Sequence, residues 1–160
     1  MITHQAAGYN RVSVINNPNF CVRHSVDLII TKNVWRQGNF VVKNAVNGKI
    51  MFNIEGSIFS FDRKRVMLDA AGVPIVTLRK KTFALRSTWE VFRGKGKNEK
   101  DLIFSVRRAS IFQMKTKLVV FMAKNKSEDV CNYTVEGSWF ERSCEVYAGD
   151  SFVIVAQVSL

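Results

Sequence analysis

Closely spaced turn signals are what most restrict this chain. They recur along almost its whole length: Asn47-Gly48, Ala71-Gly72, Gly94-Lys95-Gly96, the polar run 123–129, Glu136-Gly137 and Ala148-Gly149-Asp150. Between them the apolar residues keep a period of two. Phe40 and Val42 alternate with Val41 and Lys43, and after Asn47-Gly48 Ile50, Phe52 and Ile54 alternate with Met51, Asn53 and Glu55. Asn-Gly tolerates the positive φ of a type I′ turn, so residues 40–55 read as a hairpin with one apolar face. A second hairpin runs from Val66 and Leu68 into 75–82, and a third joins 89–93 to 102–108 across the glycine and lysine loop. Runs at 118–123, 133–135, 144–147 and 152–158 complete an up-and-down series. Val, Ile, Phe, Thr and Trp dominate these runs, as pleated half-buried surfaces favour, and no helical period is sustained. An all-β, antiparallel fold follows, a barrel or sandwich in which closure removes exposed edges.

With 160 residues, 47% of them hydrophobic, the chain suits a single domain with a real core, residues 1–26 being a partly irregular N-terminal segment. The N-terminus has no apolar run of signal-peptide length, and nothing approaches the roughly 18 apolar residues of a spanning helix. The expectation is a soluble intracellular protein, cytoplasmic, with a peripheral place at the plasma membrane or in the nucleus. Cys21, Cys131 and Cys144 form an odd set without a close pair, which disfavours both disulfides and a C-x-x-C metal site and suggests buried free thiols. The sequons at Asn125 and Asn132 need secretion to matter and are read as chance. The last strand, 152–158, is apolar on both faces and expects partners on both sides, so something is expected downstream.

The charge is concentrated. Residues 63–126 hold 17 Lys and Arg against 4 Asp and Glu, whereas the rest of the chain holds 7 against 9, so the formal +11 comes from one central segment. Such a field is either a solvated face or a surface for phosphates, those of nucleic acid or of anionic lipid. The clusters that carry it are Arg79-Lys80-Lys81, Arg93 with Lys95, Lys97 and Lys100, and Arg107-Arg108. Alternation along a strand puts Arg79 and Lys81 on one side and Lys80 on the other. The loop lysines are freer to converge, each worth about 1 kcal/mol near an anionic surface.

Several runs together point to a family. LDAAGVPI at 68–75, WEVFRG at 89–94, DLIFSV at 101–106, QMKTKL at 113–118, DVC at 129–131, GSW at 137–139, ERSC at 141–144 and VYAG at 146–149 resemble the plant LURP-one-related family, in consistent order from about residue 27 to 157. The resemblance implies a tubby-like barrel of antiparallel strands around a hydrophobic C-terminal helix, similar in architecture to tubby proteins and phospholipid scramblases. It also implies an association with basal plant defence. Family members carry a further strand pair and that helix beyond the position of Val158, so this chain is expected to be C-terminally incomplete, its helix missing.

Four functions compete. Binding of phosphoinositide or other anionic phospholipid headgroups uses Arg79, Lys81, Arg93, Lys95, Lys97, Lys100, Arg107 and Arg108 as candidates. Direct nucleic-acid binding lacks any zinc-finger, helix-turn-helix or basic-zipper pattern, and Trp89, Phe92 and Phe104 alternate like core residues rather than a stacking platform. Catalysis lacks a constellation: His4 is N-terminal, His24 reads as a packed histidine, Glu136, Glu141 and Glu145 are spread out, and Gly94-Lys95-Gly96 is a fragment of a phosphate-binding pattern. No catalytic residue, metal or cofactor is expected. The fourth reading is a protein-interaction scaffold or a membrane-tethered transcription regulator without a lipid ligand, since a shared barrel does not fix a shared function.

Overall fold

A computed structural model describes residues 20, 24–33, 38–56, 64–81, 87–109, 116–138 and 143–159. Eleven strands make one antiparallel sheet in chain order: β1 (Leu28–Lys32), β2 (Phe40–Asn44), β3 (Ile50–Gly56), β4 (Arg65–Asp69), β5 (Pro74–Lys80), β6 (Thr88–Arg93), β7 (Leu102–Arg108), β8 (Thr116–Met122), β9 (Tyr133–Ser138), β10 (Ser143–Ala148) and β11 (Ile154–Ser159). A 3-10 turn, Glu99–Asp101, precedes β7. No α-helix occurs among the described residues, and none of their helices is long and apolar enough to cross a membrane. The all-β expectation holds. Among the described residues β1 and β11 do not pair with each other, so each is an edge of the sheet, and β11 has a partner on one side where two were expected.

An up-and-down order sends alternate connections to opposite ends. Residues 45–49, 70–73, 94–101, 123–132 and 149–153 lie at one end, hereafter the turn end. The three hairpins read from sequence are present, with strand limits within a few residues of expectation. Thr82, Glu141 and the N-terminal positions His4 and Cys21 fall outside the described residues.

Three expectations change. The Asn47-Gly48 connection is longer than a type I′ turn: the Asn44 amide donates to the Lys49 carbonyl at 2.9 Å, and only Gly48 has positive φ, at 68°. The cause is Asn44, whose side-chain oxygen accepts the amides of Val46 at 2.8 Å and Asn47 at 3.2 Å and so builds an Asx turn upstream of the dipeptide. β1 is a strand outside the hairpin series read from sequence: Leu28-Ile29-Ile30 does not alternate, all five of its residues are exposed, and Gly38, which has φ 89° in the connection to β2, stands six residues beyond its end. His24 is exposed rather than packed. Cys131 is buried and Cys144 half-buried, both as free thiols.

Register separates two faces. Cross-strand partners share a face, and one face collects Phe52, Ile54, Met67, Val76, Leu78, Val91, Phe104, Val106, Val120 and Val135. A tight cluster of Ile75, Val76, Val91 and Ile103 forms the core, flanked by Phe52, Met67, Leu78, Phe104, Met122 and Phe20. Phe20 and Phe52 pack ring to ring, centroids 5.4 Å apart and tilted 49°. The other face, called polar hereafter for its charges, carries Thr77, Arg79, Glu90, Ser105, Arg107, Lys117, Glu136 and Glu145 in register across β5 to β10, with the buried Phe92 and Phe121 among them.

Two buried threonines on that polar face repeat one device. Thr77 Oγ1 donates to the Gly94 carbonyl at 2.6 Å, and Thr134 Oγ1 donates to the Gly149 carbonyl at 2.9 Å. Both glycines have left-handed φ, 54° and 57°, which a residue with Cβ adopts only at a cost, and their amides bond to Ile75 and Asn132. Each clasp turns the chain sharply out of a strand and into a turn-end loop. The sequon asparagines are also structural: Asn125 Nδ2 donates to the Val130 carbonyl at 2.7 Å and to Asn132 Oδ1 at 3.0 Å, and Asn132 Oδ1 accepts the Met122 amide at 2.9 Å.

Candidate functional site

Topology divides the eight candidate cations between the two ends of the sheet. Arg93, Lys95, Lys97 and Lys100 lie at the turn end, on the last residue of β6 and in the β6–β7 loop. Arg79, Lys81, Arg107 and Arg108 lie at the opposite end, where β5 and β7 finish. They do not form one patch.

The turn-end group stands on a well-fixed loop. Gly94 is held by the Thr77 hydroxyl and by its own amide on the Ile75 carbonyl at 2.7 Å. Gly96 donates to the Arg93 carbonyl at 2.8 Å, and a Cβ there would sit 2.5 Å from Asp101 Cβ, so the loop closes tightly enough to require glycine. The 3-10 turn returns the chain to β7 through the Asp101 amide on the Asn98 carbonyl at 2.9 Å. Arg93, Lys95, Lys97 and Lys100 are all exposed, and no ion pair engages them among the described residues. The neighbouring acid Glu99 is taken by Lys126 at 2.7 Å, which pins the β6–β7 loop to the β8–β9 loop. That hydrogen bond and the ammonium charge hold the Glu99 carboxyl below its usual range.

At the opposite end the cations are largely spent within the molecule. Lys81 pairs with Glu90 at 3.3 Å. Arg107 pairs with Glu128 at 2.6 Å and lies over the Phe121 ring, 4.3 Å from its centroid. Arg79 shares the polar face with them, its Nε buried without a hydrogen-bond partner, whereas Arg108 is in register with Leu118 and so belongs to the apolar face. Two further cations join Arg108 on that face and end: Lys80, opposite Trp89 and on the side that strand parity gives it, and Arg65, whose Nη1 donates to the Gly38 carbonyl at 3.3 Å. The sequence reading did not single out Arg65, which needed the register of β4.

Along the polar face runs a groove of about 510 Å³ that reaches the turn end, lined by the charged Lys81, Glu90, Lys97, Glu99, Arg107, Lys126 and Glu128 and by the apolar Phe92, Leu102, Phe121 and Met122. Its charges alternate in sign. Among the described residues no group of three or more His, Cys, Asp or Glu is arranged to hold a metal ion.

Comparison with known proteins agrees with this architecture. The profile of the LURP-one-related family matches residues 26–160. Protein LURP-one-related 15 of Arabidopsis thaliana is 43% identical over 158 residues, 98% of this chain and 70% of the relative. Protein LURP-one-related 10 of the same plant is 44% identical over 147 residues, 90% of this chain and 75% of the relative, and Protein LURP1 is 40% identical over 91% of this chain. A crystal structure of an Arabidopsis thaliana protein superposes with a TM-score of 0.70 at 39% identity, covering 89% of this chain and 77% of the other. In sequence and in fold alike, the chain belongs to the LURP-one-related family.

Proposed function

We propose that this chain is a non-enzymatic binding module that holds anionic phospholipid headgroups, phosphoinositides among them, at the turn end. The observation that supports this is the set of four exposed cations, Arg93, Lys95, Lys97 and Lys100, on a loop fixed by Gly94, Gly96 and Thr77 and free of ion pairs with described acids. A loop backbone that is already fixed loses little freedom when its charges meet a phosphate, so the cost of ordering is confined to the side chains. At about 1 kcal/mol each, the four supply roughly 4 kcal/mol, about a thousandfold in partitioning onto an anionic surface at low salt. A protein with this loop binds the membrane peripherally and reversibly. The test is vesicle flotation at physiological salt with the Lys95→Glu, Lys97→Glu, Lys100→Glu triple variant. Binding to phosphoinositide vesicles that falls in the variant supports the reading, and equal recovery on neutral and anionic vesicles ends it.

A second reading has its own observation. The polar-face groove sets Glu90 and Glu128 beside Lys81, Arg107 and Lys126, an alternation that suits an extended peptide of mixed charge better than a phosphate. A protein-interaction scaffold would use this groove, and Arg107→Glu would then abolish capture of a partner while leaving flotation unchanged. A role in basal plant defence is supported by family membership alone.

A further inference from the structure

Four of the five turn-end connections lift an apolar side chain into solvent. Val46 in the β2–β3 connection is 89% exposed, Val73 before β5 is 56%, Val130 in the β8–β9 loop is 64% and Phe152 before β11 is 97%. The fifth connection is the β6–β7 loop with its lysines. A single exposed apolar residue needs no explanation, but their repetition at the tips of successive turns along one end makes a patterned surface. Turn geometry does not ask for them: Gly, Asn, Asp and Ser serve such positions, each by a backbone or local hydrogen-bond mechanism that valine and phenylalanine lack.

Topology brings the tips together. Connections at one end are two strands apart, about 10 Å, and contacts tie neighbours further. The Gly94 amide bonds to Ile75 beside Val73, Lys126 grips Glu99, and Cys131 Sγ donates to Asp150 Oδ1 at 3.4 Å, next to Phe152. Val73, the loop lysines, Val130 and Phe152 therefore lie in successive, mutually tied connections along one end of the sheet. Two acids of this end are held in ion pairs, Glu99 with Lys126 and Glu128 with Arg107, whereas Asp69 accepts the amides of Ala71 and Val73 and Asp150 accepts from Cys131, and both keep their charge. Against these two, and against Asp101 and Asp129, stand Lys49, Arg93, Lys95, Lys97, Lys100 and Lys124, so cations still outnumber acids there, with the excess in the β6–β7 loop.

Apolar tips interleaved with unpaired cations fit one partner chemistry especially well. In an anionic bilayer, phosphates and the acyl boundary lie within a few ångströms of each other in depth, so one approach satisfies both. We infer that the turn end enters the headgroup layer of an anionic membrane edge-on, with Phe152, Val130 and Val73 reaching the acyl boundary and the β6–β7 cations meeting the phosphates above them. This rests on the headgroup reading and adds orientation and depth to it. Strands then stand steeply to the membrane, and the far part of the polar-face groove, lined by Lys81, Glu90 and Arg107, stays in water.

The experiment compares three proteins on phosphatidylcholine vesicles with and without phosphatidylserine: the parent, the Phe152→Ser, Val130→Ser double variant, and the lysine triple variant described above. The two serine sites are far too exposed to disturb folding, and circular dichroism and thermal melting check that. The double variant is expected to partition about tenfold more weakly with an unchanged salt dependence, because apolar burial is not screened. The triple variant is expected to lose the salt dependence. In Phe152→Trp, emission quenched by brominated acyl chains beyond the parent's own quenching reports depth. Parent-like binding by the double variant, while the triple variant fails, overturns insertion and spares the headgroup reading. No anionic preference in the parent overturns both. A parent dimer that Phe152→Ser dissociates makes the ridge a protein interface and overturns the membrane assignment.

Discussion

Thr77→Val removes a hydroxyl and keeps the shape of the side chain. Thr77 is 0% exposed, and its Oγ1 is the donor that meets the Gly94 carbonyl at 2.6 Å. Leaving a buried acceptor unsatisfied costs about 1–3 kcal/mol, and the added methyl returns at most about 0.8 kcal/mol. Taking the middle of that range, about 2 kcal/mol, the net expectation is a loss of about 1 kcal/mol, roughly 2–4 °C in melting temperature for a chain of this size. Thr134→Val breaks the second clasp, 2.9 Å to Gly149, and the two losses should add because the clasps share no partner. Urea and thermal denaturation of the single and double variants measure this. Thr77→Ser keeps the hydroxyl and serves as the control. A Thr77→Val protein within 0.3 kcal/mol of the parent, on the order of additivity error, or a serine variant as unstable as the valine one, would refute the clasp as a source of stability.

Three further outcomes follow from the geometry. Gly96→Ala places a Cβ 2.5 Å from Asp101 Cβ and 2.8 Å from the Arg93 carbonyl, so it should cost about 1–3 kcal/mol in denaturation and weaken vesicle binding by displacing the lysines, whereas Gly48→Ala, with nothing within 4 Å, should leave binding alone. The sheet edges are half exposed and apolar, with Ile29 at 49% and Val155 at 51%, and lysine at either position should reduce concentration-dependent self-association in size-exclusion runs; an unchanged elution profile at high concentration would show the edges to be inert. The Tyr147 hydroxyl donates to Glu145, and that bond holds the phenol above its usual range. Its contribution is thus fully present below the unfolded phenol's pKa and lost as pH rises through the folded one, so Glu145→Gln should lower the midpoint of the alkaline absorbance titration.

Much of this fold was legible from glycine spacing alone. Gly72 and Gly94 sit where the chain turns with positive φ, at 82° and 54°, and the strands between them alternate cleanly, so β4 to β7 could be read almost residue by residue. β1 escaped because Leu28-Ile29-Ile30 neither alternates nor ends in a turn signal, and the Asn47-Gly48 turn type escaped because Asn44, outside the dipeptide, decides it. The charge clusters were visible as charge, but their grouping was not. Arg93 and Arg107 close one hairpin from opposite ends, a separation that only the pairing of β6 with β7 reveals. Likewise Val46, Val130 and Phe152 look like stray apolar residues in polar loops until the meander collects them at one end.

Among the described residues the sheet has its strands in the order of the chain, each hydrogen-bonded to its predecessor and successor. Within these strands, pairing does not have to wait for a distant segment. As it leaves the ribosome, every new strand finds its docking edge already built by the strand just before it, and the loop to be closed is short. Assembly can therefore keep pace with translation, one ribbon laid beside the last, with a sequence separation between contacts that is small for an all-β protein.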